Sequence, residues 1–202
     1  MSFTTRSLQT AIDKIHANIE PIGKEMNELD GRLGDGDLGV TLINGFNNLA
    51  KVRDDLPDDF GMALLSAAKA ITAVSGSSFG TLMATALMAA AKSTKGQTSI
   101  DQTALPELLE SAQNAMISRG GANLGDKTML DVMDAVIKAI RQSPKTGKDM
   151  LAASQVAADQ TLAAFRDKPN KIGRARVYSE KSVGLDDPGM MALKRLLDCL
   201  AD

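Results

Sequence analysis

Apolar residues recur three and four positions apart in run after run of this chain, and that spacing commits it to amphipathic helices. Over residues 7–28 the series is Leu8, Ala11, Ile12, Ile15, Ile19, Ile22 and Met26. Ser7 is the candidate N-cap, and Pro21 and Gly23 predict either a kink or two shorter helices. The same periodicity predicts helices over about 40–53, 59–72, 81–92, 101–119, 128–141, 151–166 and 189–200. No stretch alternates apolar and polar residues over a useful length, so no strand is expected. Aromatics make up 3% of the residues and there is no Trp, which leaves Ala, Leu, Ile, Met and Val to build the core. Such a core suits close-packed helices better than a sheet. With 202 residues, one domain over 1–202 suffices. The expectation is an all-α fold: eight antiparallel helices in an up-and-down bundle or barrel.

The junctions carry the chemistry. Leu29 to Gly39 places Asp30, Asp35 and Asp37 among four glycines between the first two helices. Carboxylates this close repel one another, and their hard oxygens suit Mg²⁺ or Ca²⁺ before zinc. An EF-hand fails, because position twelve counted from Asp35 is Phe46 where a bidentate Glu is needed. Residues 74–81, with Ser75, Gly76 and Gly80, open the fourth helix. They read either as a phosphate cradle at a helix N-terminus or as close packing through small residues. Gly120 to Met129 precedes the sixth helix, and Asp187-Pro188-Gly189 precedes the eighth after a long irregular stretch over 167–188. A turn is expected over 143–148. Alternate junctions of an antiparallel array share one end, so these four segments are predicted to converge there.

Other classes recede. A net charge of −2 offers no basic stripe for nucleic acid and no field for a membrane surface. No apolar run is long enough to span a bilayer, and the N-terminal residues lack a signal core. The single cysteine, Cys199, permits no internal disulfide. A cytoplasmic chain is expected. The only histidine, His16, lies on the first helix, far in sequence from the acidic loop, and reads as structural or surface-exposed. If a nucleoside triphosphate sits at the converging end, three carboxylates carry about −3 and the phosphates about −4. One magnesium then leaves about −5 and two leave about −3. Two ions are favoured, with helix N-termini and a cation such as Arg174 or Lys127 offsetting part of the rest.

Taken in order, these motifs resemble the nucleotide-binding L subunit of dihydroxyacetone kinase. They are Leu29-Asp30 with Gly34-Asp35-Gly36-Asp37-x-Gly39, Ser75-Gly76 with Phe79-Gly80-Thr81, Ser118-Arg119-Gly120 with Gly125-Asp126-Lys127-Thr128-Met129, Gly173-Arg174-Ala175, and Asp187-Pro188-Gly189. The resemblance covers nearly the whole chain. It implies an eight-helix antiparallel barrel holding ADP or ATP and two Mg²⁺ at one end, with Asp30, Asp35 and Asp37 as metal ligands. Gly39, Val40, Thr41, Ser75, Gly76, Gly120, Met129, Arg174, Asp187, Pro188 and Gly189 would line the nucleotide pocket. It also implies a partner, a K-type subunit that carries the ketose on a histidine. The phosphoryl donor would be ATP itself or a phosphotransferase-system protein that rephosphorylates held ADP. The chain departs from the family at Leu38 and Thr41, where His and Asn are usual, and at Leu185, where another His is usual. Leu38 takes away a phosphate-directed donor. This leaves open a second reading as a non-catalytic nucleotide-binding or regulatory subunit, and it leaves open whether the ketose has three or four carbons.

Overall fold

The computed structural model describes residues 2–143 and 146–201, so the turn expected over 143–148 lies partly outside the described residues. Eight α-helices are present among them: α1 (Thr5–Leu33), α2 (Leu38–Val52), α3 (Phe60–Thr72), α4 (Ser78–Thr94), α5 (Leu105–Gly120), α6 (Met129–Gln142), α7 (Gly147–Phe165) and α8 (Pro188–Cys199). Each packs on the next in sequence, and α8 closes back on α1. The expected all-helical, up-and-down barrel is therefore the observed one.

Local chemistry sets most of the helix starts. Thr4, not Ser7, is the N-cap of α1; Ser7 supplies the return bond of a capping box three residues in. Asp59, Ser77, Thr128 and Asp187 each accept a backbone N–H at the start of α3, α4, α6 and α8. α1 runs unbroken through Pro21. The proline is on the solvent face, so the Ala17 carbonyl that loses its intrahelical partner meets water, and neither shorter helix is needed. The helix also continues past Glu28, which puts Asp30 on its last turn rather than in a loop.

The apolar stripes meet in a large core contributed mainly by α1 to α4, with Ile12, Ile19, Met26, Leu42 and Ile71 almost fully buried. A second cluster joins α6, α7 and α8 through Val132, Ala158 and Met190. Gly39 lets α2 lie against α1, since a Cβ there would collide with the Gly23 carbonyl oxygen.

One element was not expected. Strand β1 (Ser2–Thr4) pairs antiparallel with β2 (Ser99–Asp101), Phe3 facing Ile100 in register. Three residues are too few to show an alternating pattern. Residues 95–98 turn the chain between the end of α4 and the start of β2. Asp101 caps the turn Gln102–Ala104 that leads into α5.

Candidate functional site

Chain direction places the starts of α2, α4, α6 and α8 at one end of the barrel. A cavity of about 520 Å³ opens there, lined from all four junctions: Asp30, Asp35, Asp37 and Leu38, then 76–79, then Gly120 with 128–130, and then 172–175 with Asp187, Pro188 and Gly189. Four helix N-termini thus face one space, and their unpaired N–H groups and dipoles make it receptive to an anion.

One wall is acidic. Asp30, Asp35 and Asp37 each present an oxygen, all within 4.8 Å of one another. Like charges at such spacing repel by roughly 3–4 kcal/mol per pair at an effective dielectric of about 20. The Asp37 carboxyl is pushed up from its ordinary value, chiefly by burial and then by Asp35 and Asp30, with Arg174 pulling the other way. Backbone geometry holds the cluster. Asp30 Oδ2 accepts the N–H groups of Asp37 and Leu38 at 3.0 and 3.3 Å, and Gly34 N–H returns to the Asp30 carbonyl at 2.5 Å. The Arg174 guanidinium lies 2.5 Å from Asp35 Oδ2. The donor set fits a hard divalent cation: three carboxylates that repel, two of them partly buried, with one mobile counter-charge.

Another part of the lining is apolar. Leu82, Met116, Ala122, Met129 and Ile172 form it, and Met116, Ala122 and Met129 belong to a buried cluster beneath. The cavity thus combines carboxylates and helix ends with apolar side chains suited to a planar ring.

The segment between α7 and α8 forms a strap across the site. Its only regular structure is a run of tight helical turns over Arg174–Ser182. Gly173 has φ 71°, a backbone state that favours glycine, and it turns Arg174 toward the acidic wall. Lys127 lies under the strap rather than in the cavity. Its side chain is fully buried and Nζ donates to the carbonyls of Arg166, Lys168 and Ser182 at 3.0, 2.7 and 2.9 Å. Burial pushes the ammonium pKa down, while Asp187, Asp186 and Asp167 oppose that shift. The expectation that Lys127 could offset phosphate charge is thus corrected, because its donors are already used. Asp187 is buried too; desolvation raises its pKa to about 6 against the stabilising N–H of Met190 and the Asn170 amide.

Of the residues expected around a nucleotide, Gly76, Gly120, Met129, Arg174, Asp187, Pro188 and Gly189 line the cavity, as do all three aspartates. Gly39, Val40, Thr41 and Ser75 do not. Gly39 is packed on α1, Val40 is half-exposed with its N–H on Asn27, and Thr41 is buried near Gly80. The Ser75 hydroxyl is buried against Gly80 with no hydrogen-bond partner among the described residues. His16 is exposed and pairs with Asn47, and Cys199 is buried in α8. Sequence reasoning missed Leu82, Met116 and Ile172. The first two sit on apolar helix faces, where spacing alone cannot separate a cavity wall from a core.

The sequence profile of the DAK2 domain matches residues 32–202. The chain belongs to the DAK2 domain family. A relative in Escherichia coli, the PEP-dependent dihydroxyacetone kinase ADP-binding subunit DhaL, is 30% identical over 178 residues, covering 86% of this chain and 84% of the subunit. The L-erythrulose 1-kinase of Mycolicibacterium smegmatis is 31% identical over 88% of this chain, which spans 32% of that longer protein. Among solved structures, the dihydroxyacetone kinase of C. freundii in complex with AMP-PNP and Mg²⁺ superposes with a TM-score of 0.71 over 96% of this chain and 33% of its own. At 24% identity that likeness establishes the fold. The extent of the match to the E. coli subunit places this DAK2 member with the L subunits of dihydroxyacetone kinase.

Proposed function

We propose that this chain is the nucleotide-holding subunit of a small-ketose kinase. It binds ADP or ATP with magnesium in the cavity and passes a phosphoryl group to dihydroxyacetone, or a related ketose, held on a separate K-type subunit. The observation that carries this reading is the convergence of the three aspartates and four helix N-termini on one cavity. The names of the relatives support the nucleotide and the ketose class. Residues 1–202 act as one such unit, working in the cytoplasm; no described helix is long and apolar enough to cross a membrane.

Asp30, Asp35 and Asp37 would hold the metal, and the charge balance favours two ions. When bound, magnesium supplies neutralisation of phosphate charge where the phosphoryl group is transferred. The chain's own residues do the rest. The N–H groups at the start of α4 and α8 meet phosphate oxygens, Arg174 turns from Asp35 to the phosphates, and Leu82, Met116, Met129 and Ile172 exclude water around the base. The cavity-lining carboxylates are assigned to the metal (Asp30, Asp35 and Asp37) and to the cap of α8 (Asp187). Catalysis is therefore positioning and charge neutralisation, and the ketose chemistry belongs to the partner.

The test is a thermal melt of the purified chain with Mg²⁺ alone, with ADP–Mg²⁺ and with ATP–Mg²⁺, after mass spectrometry for nucleotide carried through purification. A ligand at 100 times its Kd adds about 2.7 kcal/mol. Tightly held ADP marks a chain rephosphorylated by a phosphotransferase-system protein; reversible stabilisation by ATP–Mg²⁺ marks a direct ATP-dependent kinase. In a chain that arrives free of nucleotide, no magnesium-dependent nucleotide shift at all would overturn the reading, and so would ketose phosphorylation without a K-type partner.

A further inference from the structure

The strap between α7 and α8 supplies the cavity wall at 172–175 and the only cation that touches the aspartates among the described residues, yet it has little structure of its own. At the centre of what holds it is Lys127. Three strap carbonyls, from Arg166, Lys168 and Ser182, converge on one buried ammonium. They come from both ends of the strap, which the Gly184 N–H on the Arg166 carbonyl at 2.9 Å and the Arg166–Asp186 ion pair also join, so Lys127 is the buried centre of that closure. Asn170, almost fully buried, completes the arrangement by donating its amide to the Lys127 carbonyl at 2.9 Å and to Asp187 Oδ2 at 2.7 Å. Its backbone N–H reaches Ser182 Oγ at 2.8 Å, and Lys171 N–H reaches the Asp126 carbonyl at 3.1 Å.

The backbone of Lys127 points the same way. At φ 64° it is the only non-glycine among the described residues in the left-handed region. Glycine would fit there without strain, and six other positive-φ positions use it, including Gly121, Gly125 and Gly173. A lysine at such a position, with its charge withdrawn from water, is explained by what the ammonium holds.

We infer that Lys127 is a positioning residue for nucleotide binding: its ammonium clasps the strap and thereby places Arg174 and its neighbours against the phosphate end of the cavity. This rests on the nucleotide reading above. Arg174 itself is two-thirds exposed, and among the described residues its side chain pairs with Asp35 alone, so its location is inherited from the strap backbone.

The test combines hydrogen exchange by mass spectrometry with calorimetric ADP–Mg²⁺ titration on the full chain, as wild type, Lys127→Met, Arg174→Ala and the double variant. Expected for Lys127→Met is a loss of protection over 168–184 with α1 to α4 unchanged, and ADP–Mg²⁺ affinity lower by roughly tenfold. Arg174→Ala should lose a similar factor, and the double variant should be no weaker than the worse single one, because one acts through the other. Unchanged strap protection, or losses that multiply in the double variant, would overturn the inference; a lysine that merely stabilises the fold gives the second result. If Lys127→Met does not fold, Asn170→Ala cuts the same clasp and carries the same expectations. If the wild type takes up no ADP–Mg²⁺, the nucleotide reading fails, and the exchange data alone decide whether Lys127 holds the strap.

Discussion

The two ends of the barrel are built on opposite principles. At the end where α1, α3 and α5 begin, Phe60, Ile100 and Leu56 are buried, and the β1–β2 ribbon ties the chain start to the α4–α5 junction. Polar groups there are paired within the protein: Thr5 Oγ1 donates to the Pro57 carbonyl, Gln9 to the Arg53 carbonyl, and Asp59 accepts from both Met62 and Gly96. At the other end the junctions part around a cavity, carboxylates crowd together and three carbonyls of the strap converge on one lysine. One end spends its side chains on closure; the other leaves charge unneutralised for something that is not protein. Stability and function are thus separable along the barrel axis, and substitutions can test that division.

The largest effect on stability should come from the closed end. Phe60→Ala is expected to cost about 3–4 kcal/mol in urea unfolding while leaving ADP–Mg²⁺ affinity of the folded protein within about twofold. A comparable loss of affinity would break the division. Next comes its mirror image, Asp35→Ala, which should weaken ADP–Mg²⁺ by on the order of 100-fold, about 2.7 kcal/mol. Because this residue is one of three mutually repelling carboxylates, ligand-free stability should not fall; calorimetry and melting on the same sample compare the two.

A pH series probes the open end in another way. The Asp187 carboxyl is raised from 3.8 to about 6 in the fold. The folded state then holds its proton more tightly than the unfolded chain, so this contribution is fully present below about pH 4 and is lost as pH rises to about 6. Asp187→Asn keeps a capping side chain but no titration. The stability difference between wild type and variant should shift by roughly 2 kcal/mol against wild type between pH 4 and pH 7; a flat difference would show that the buried carboxyl titrates normally. The smallest expected effect pairs two caps. Thr4→Ala and Thr128→Ala should each cost about 1 kcal/mol of stability, but only the second, whose helix opens into the cavity, should also lower ADP–Mg²⁺ affinity, by a few fold.

The sequence was most informative where structure is local. Eight helices follow from apolar spacing, although α4 begins at Ser78, ahead of the expected residue 81, on a Ser77 cap whose bond spans three residues. The convergence of alternate junctions was legible too, since it needs only helix count and antiparallel order. The aspartate cluster was legible as a charge conflict, although Asp30 rides on a helix that the glycines at 31 and 34 were expected to interrupt sooner. What stayed hidden depends on contacts distant in the chain. Lys127 reads as one more loop cation until Arg166, Lys168 and Ser182 are seen to surround it. The turns over Arg174–Ser182 have no amphipathic pattern, and they are ordered by Lys127 and Asn170 rather than by their own composition. The β ribbon joins residues nearly a hundred positions apart through three pairs.

The strict alternation of helix direction also imposes a parity rule. Inserting or deleting one helix between α2 and α7 would send every later junction to the opposite end, separating the aspartates from Arg174 and Asp187 even if each helix still packed well. Adding or removing helices two at a time would not. A lineage, or a designer, can therefore enlarge or trim this barrel only in pairs.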